Sequence, residues 1–145
     1  MQDTIERKII IKAPKERVYA AISEPTQIVA WFPNAIEGEL AEGEQPIFNF
    51  GEHGKTQIYV VAMQPHDYFA YRWVPGANHF IGDVLSTDTT LVEFRITESD
   101  GVSTVTLTES GFTKIPVELA KAAFEQNSGG WNLMLGRLEK NFSEE

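Results

Sequence analysis

The spacing of apolar residues in this chain changes period along its length, and each change marks a new element. Thr4-Ile5-Glu6-Arg7-Lys8-Ile9-Ile10-Ile11-Lys12 is rich in β-branched residues and predicts a strand. Ala13-Pro14-Lys15-Glu16 then opens a helix: proline is tolerated in the first turn, and a glutamate suits the positive end of the helix dipole. Val18, Ala21 and Ile22 follow at helical spacing. Ser23-Glu24-Pro25 repeats the start signal, and Ile28, Trp31 and Phe32 fall on one face of a second short helix.

From about residue 35 to 110 the period is two. Ile47, Phe48 and Phe50 lie in a short strand before a turn at Gly51-Glu52-His53-Gly54, and Gln57 to Met63 is the next strand, closed by Pro65-His66-Asp67. In Tyr68-Phe69-Ala70-Tyr71-Arg72-Trp73, the side chains of Phe69, Tyr71 and Trp73 share a face. Val92, Phe94 and Ile96 share one in Leu91 to Ile96, with Glu93 and Arg95 pointing away. After a turn at Ser99-Asp100-Gly101, Val105 and Leu107 alternate with threonines through Ser110. Such alternation describes an antiparallel sheet with one covered and one wet face.

The period lengthens again from about 116 to 142. Pro116 marks a first turn, and Ala120, Phe124, Asn127, Trp131, Met134, Leu135, Leu138 and Phe142 recur at three- and four-residue steps. Such a helix is about 40 Å long, enough to cross a sheet. Inside it stand Gly129-Gly130, which weaken a helix by roughly 2 kcal/mol relative to alanine. Missing Cβ atoms offer a reason: they let a helix bend around a curved sheet and leave empty volume beside Trp131. One strand, two short helices, a meander of strands and one long helix make an α+β chain, expected as a single domain over 1–145.

Composition narrows the function classes. There is no cysteine, hence no disulfide, thiolate metal site or cysteine nucleophile, and a cytoplasmic location is expected. The net charge of −9 is spread along the chain and argues against nucleic acid as a partner. No apolar run approaches the roughly 18 residues of a membrane span, and the N-terminus lacks a signal-peptide pattern. His53, His66 and His79 have no clamp spacing, so no metal is expected. The Gly-x-Ser-x-Gly, Walker, dinucleotide and His-Glu-x-x-His motifs are absent, so no catalytic residue is assigned and no cofactor is expected.

Several stretches, in order, carry a family resemblance: Ile11-Lys12-Ala13-Pro14 with Val18 and Ile22, Pro25 with Trp31-Phe32, Tyr71-Arg72-Trp73, Leu91-Val92-Glu93-Phe94, Thr106 to Phe112, and Gly129-Gly130-Trp131 with Leu135 and Leu138. Together they resemble the START-like (SRPBCC, helix-grip, Bet v-type) superfamily, in its branch related to the activator of heat-shock-protein ATPase. The resemblance implies a bent antiparallel sheet gripping the C-terminal helix around a hydrophobic cavity. The eukaryotic activator carries a further N-terminal domain for which this chain has no room, so direct chaperone activation is not the expectation.

The candidate cavity lining is Trp31, Phe32, Phe50, Tyr71, Trp73, His79, Phe80, Phe94, Leu107, Glu109, Gly130, Trp131 and Leu135. Rings with few polar groups are the usual walls of apolar ligand pockets, and also the usual content of a core. His79 and Phe80 belong to the connection 74–88, long enough to serve as a rim. Counting by two from Val105 and Leu107 turns Glu109 inward, where it is expected to anchor a ligand hydroxyl or amine. The expected function is binding of an apolar, aromatic or lipid-like small molecule, as monomer or dimer. A cyclase, dehydratase or hydrolase working in the same cavity and a chaperone-interaction module are the alternatives.

Overall fold

A computed structural model describes residues 2–76 and 79–143. Ala77 and Asn78, part of the expected rim, lie outside the described residues. The strands are β1 (Thr4–Ile11), β2 (Ala35–Glu37), β3 (Ile47–Asn49), β4 (Lys55–Gln64), β5 (Tyr68–Trp73), β6 (Thr90–Ser99) and β7 (Val102–Ser110). The helices are α1 (Lys15–Ser23), α2 (Pro25–Ile28) and α3 (Val117–Ser143). All the strands join one antiparallel sheet in the order β1-β7-β6-β5-β4-β3-β2. The result is an α+β helix-grip arrangement, a curved sheet closed on one face by the long helix.

The period-two pattern works as a burial code. Phe69, Tyr71 and Trp73 of β5, Val92, Phe94 and Ile96 of β6, and Val105, Leu107 and Glu109 of β7 are all buried. Register carries these faces across the sheet: Tyr71 lies opposite Val92, Phe94 opposite Leu107, and Val92 opposite Glu109. On β4 the register shifts between Val60 and Ala62. That bulge brings Met63 opposite Phe69 and against the core. On β1, Arg7 takes an inward position opposite Leu107 and reaches α3, where its Nε donates to Asn132 Oδ1 at 2.8 Å.

The helices differ from expectation in detail. Pro14 precedes α1 in extended geometry, and its carbonyl accepts from the amides of Arg17 and Val18. The second helix stops at Ile28 rather than running through Trp31 and Phe32. Those two rings follow on turns, and both are buried: Trp31 donates through Nε1 to the carbonyl of Ala21 at 2.8 Å and stacks on Phe32. Phe50 lies just beyond β3 and is half-buried. The short strand β2, unresolved within the sequence pattern, lies at the edge of the sheet. α3 runs unbroken through Gly129 and Gly130 and buries Ala120, Ala123, Trp131, Leu135 and Leu138.

Candidate functional site

A carboxylate stands at the centre of the face between sheet and helix. Glu109 is fully buried. Its Oε2 accepts from Trp73 Nε1 at 2.9 Å and from Thr90 Oγ1 at 2.5 Å, and its Oε1 accepts from Trp131 Nε1 at 2.8 Å. Asn127 Nδ2 donates to both oxygens, at 2.9 and 3.0 Å. The indole N–H is a donor only, so two of these partners ask for an acceptor wherever the rings go. Asn127 completes the link outward, its Oδ1 accepting from the amide of Gly76 at 3.2 Å. One carboxylate thus ties β5, β6, β7 and α3 together and reaches the chain after β5.

The rings held by this network form a continuous wall. Phe32 packs on Trp73 and Trp131, with ring centroids 6.0 and 5.3 Å apart, and the two indoles stack at 6.0 Å. Between this wall and Phe50 lies a cavity of about 160 Å³, open to solvent. Its lining is Phe32, Phe50, Thr56, Trp73, Val74, Gly76, His79, Asn127, Gly130, Trp131 and Met134. Two roomier grooves, of about 400 and 440 Å³, lie elsewhere on the surface. Among their linings, Phe142 is the ring in one, and Tyr19 and His66 are those in the other. Only the smallest of these spaces combines a wall of stacked aromatics with a buried polar network behind it, and it is the candidate site.

Of the residues singled out from sequence, Phe32, Phe50, Trp73, His79, Gly130 and Trp131 meet at this cavity. The others stand away from it. Trp31 is committed to Ala21, and Phe94 packs edge-on behind Trp131 and Trp31. Tyr71, Leu107 and Leu135 are buried in the core around the wall. Phe80 turns its ring over Gly82, and its carbonyl accepts from the amide of Gln57 on β4. Much of the long connection is fastened in this way rather than poised over the cavity: Val84 is fully buried and its amide donates to Gln45. Glu109 faces inward as its register position predicts, yet lies behind the wall with both oxygens occupied by the protein's own donors. Its hydrogen bonds hold three wall residues, Trp73, Asn127 and Trp131.

The sequence reading passed over Thr56, Val74, Gly76, Asn127 and Met134 as lining residues, and Thr90 as a partner of Glu109. A signal existed for two of them. Thr56 continues the Ile58-Val60 alternation backwards, and Thr90 continues Val92-Phe94-Ile96 in the same way. Gly76 needs its φ of +76° and close approach to the helix, since a Cβ there would stand 2.9 Å from the Ala123 backbone. At the mouth, the exposed His79 ring packs over Gly54, where an added Cβ would come within 2.9 Å of it.

Burial pushes the Tyr71 phenol well above its ordinary range, and the negative charge of Glu109 adds to the effect. Its hydroxyl has no hydrogen-bond partner and stays within the core. Among the described residues, no group of three or more histidine, aspartate or glutamate side chains converges as a metal site would require. No helix among them is long and apolar enough to cross a membrane.

A sheet curved around one long helix, with an aromatic cavity left between them, defines a START-like, helix-grip protein. Residues 12–143 match the model of the family described as Activator of Hsp90 ATPase homolog 1-like protein, and the chain belongs to that family. No curated protein matches the chain. Among solved structures the fold resembles DynU16, a putative protein in the dynemicin biosynthetic locus, at 22% identity and a TM-score of 0.77. That alignment covers 97% of this chain but 47% of DynU16, so the chain spans about half the length of that relative. MLL2253 from Mesorhizobium loti is 20% identical, with 94% of each chain covered and a TM-score of 0.76. The Aha1 dimer from Colwellia psychrerythraea is 21% identical over 97% of this chain and 96% of that one, with a TM-score of 0.74. At such identities the likeness carries the fold.

Proposed function

We propose that this protein is a cytoplasmic, non-enzymatic binder of a small apolar ring compound, the whole chain acting as one domain around the cavity between α3 and the sheet. The observation that carries the reading is the wall itself: Phe32, Phe50, Trp73, Trp131 and Met134 surround open volume. Apolar pockets with a few placed polar groups are the usual form of small-molecule sites. Volume narrows the ligand class. About 160 Å³ is close to the roughly 150 Å³ of an engineered apolar cavity that accepts benzene. Drug-sized ligands occupy pockets of about 300–1,000 Å³. A single ring matches this volume.

The family name points to a chaperone ATPase, and a docking role would call for a contiguous exposed apolar patch. Among the described residues, the large exposed apolar side chains belong to β1 (Ile10), β4 (Val61), the connection after β5 (Ile81, Leu85) and α3 (Val117, Leu119, Leu133). The binding reading is therefore preferred.

Thermal melts with benzene, toluene and indole, set beside a long-chain fatty acid, test the proposal. The ring compounds are expected to raise the melting temperature and to alter tryptophan emission, because two of the wall residues are indoles. A panel that leaves both signals unmoved overturns it.

A further inference from the structure

The outer face of α3, turned away from the sheet, carries residues that complement one another between two copies of the chain. Glu125, Gly129, Leu133 and Arg137 are all exposed, Leu133 at 55%. Four-residue steps place them on one ridge of the helix. A Cβ built on Gly129 meets nothing within 4 Å, so this glycine leaves an open dent beside the Leu133 knob. Glu125 and Arg137 stand about 18 Å apart along the axis, too far to pair within one helix. Arg137 Nη1 donates to Met134 Sδ at 3.7 Å, and a thioether is a weak acceptor, so the guanidinium is loosely held. Charge favours the same face. The chain's net −9 opposes contact between copies, but α3 sets Glu118, Glu125 and Glu139 against Lys121, Arg137 and Lys140. Two copies that meet through α3 therefore bring neutral surfaces together.

We propose that the outer face of α3 is a homodimer interface, the helices of two copies crossing antiparallel about a two-fold axis midway between Gly129 and Leu133. In a two-fold contact the same patch serves both sides: where one residue meets a second, the second meets the first. This centre sets Leu133 of each copy into the Gly129 dent of the other. It also brings Glu125 of each copy opposite Arg137 of the other, one pair at each end of the contact. A single register thus satisfies the knob and the charges together, which selects a second copy of this chain over an unrelated partner. Ridges at four-residue steps interdigitate when helices cross at about 50°, and a leucine set on a glycine lets the axes approach closely. One helix crossing buries less than the roughly 1,200–2,000 Å² of a stable interface, so the dimer is weak and forms at high protein concentration. Trp131, Leu135 and Leu138 stay on the sheet side, and pairing leaves the core unchanged.

Sedimentation equilibrium over protein concentrations of about 10 μM to 1 mM tests the proposal. The weight-average mass of the wild type is expected to rise with concentration from 16.3 kDa toward twice that value. Arg137→Glu sets like charges opposite each other at both ends of the contact and is expected to raise the dimer Kd about tenfold. Adding Glu125→Arg to it exchanges the charges and is expected to restore the wild-type Kd. Gly129→Leu fills the dent and is expected to abolish association while circular dichroism shows an intact fold; Leu133→Ala carries the same comparison should that variant fail to fold. A wild type that stays at 16.3 kDa throughout overturns the proposal. So does a dimer that Arg137→Glu and the variants at Gly129 and Leu133 leave undiminished, since association then uses another face. A charge exchange that does not recover the Kd lost in Arg137→Glu overturns the antiparallel register.

Discussion

Glu109 receives hydrogen bonds from two indoles, an amide and a hydroxyl while fully shielded from water. Removing an acceptor there strands several buried donors at once, and each stranded group costs about 1–3 kcal/mol. Glu109→Gln, which presents an N–H₂ where an oxygen stood, is expected to lose about 2–3 kcal/mol. Glu109→Ala adds a cavity to the unpaired donors and is expected to lose about 4 kcal/mol or more. Urea unfolding monitored by circular dichroism measures both. A loss below ~0.5 kcal/mol for the glutamine variant would mean the network is not needed for the fold. Counting by two along β7 was enough to turn this carboxylate inward. Its partners were not legible, because Trp73, Thr90, Asn127 and Trp131 lie on three other elements, 18 to 36 residues away in sequence. Periodicity reports which face a residue occupies and nothing about what stands across from it.

At the scale of elements, the glycine pair in α3 separates packing from propensity. A Cβ built on Gly129 or Gly130 meets nothing within 4 Å beyond the helix's own backbone, so close approach does not explain these residues. Gly129→Ala is expected to stabilise by about 0.5–1 kcal/mol, the helix-propensity difference. Gly130 differs because it lines the cavity. Gly130→Leu is expected to abolish benzene binding while lowering the melting temperature by no more than a few degrees. Outright unfolding of that variant would mean the space beside α3 is needed for packing. The pairing of β5 with β6 carries a pH signature. Tyr68 lies opposite Arg95, donates to Glu93 at 2.5 Å, and has the Arg95 guanidinium 5.0 Å over its ring. Burial first, then the hydrogen bond and charge of Glu93, push its phenol up to about 12. A folded value above the unfolded value of about 10 means the contribution is fully present below about pH 10. It is lost as pH rises from there toward 12. Tyr68→Phe is therefore expected to flatten the alkaline fall of stability between about pH 10 and 12, measured by urea unfolding across that range.

For the whole molecule, the outcome of ligand binding follows from mass action. A ligand at 100 times its dissociation constant stabilises the native state by about 2.7 kcal/mol, which for a chain of this size raises Tm by roughly 5–10 °C. The increment is expected for single-ring compounds and to vanish as a substituent outgrows the 160 Å³ available. A series of n-alkylbenzenes measured by differential scanning fluorimetry reads that limit. An undiminished shift at long chain lengths would place the ligand in one of the larger grooves instead.

What the sequence determined by itself was the architecture. Alternation over β5, β6 and β7 and the three- and four-residue steps of α3 are local properties of the chain, set by backbone geometry and by which face must leave water. The tertiary structure alone decided which inward residues become core and which become wall. Trp31, Phe94 and Trp131 carry the same signal along the chain, yet Trp131 borders open space while Trp31 and Phe94 do not. That difference depends on how far the sheet stands from α3 and on a missing Cβ at Gly130. Empty volume is a property of several elements together, and no single segment encodes it.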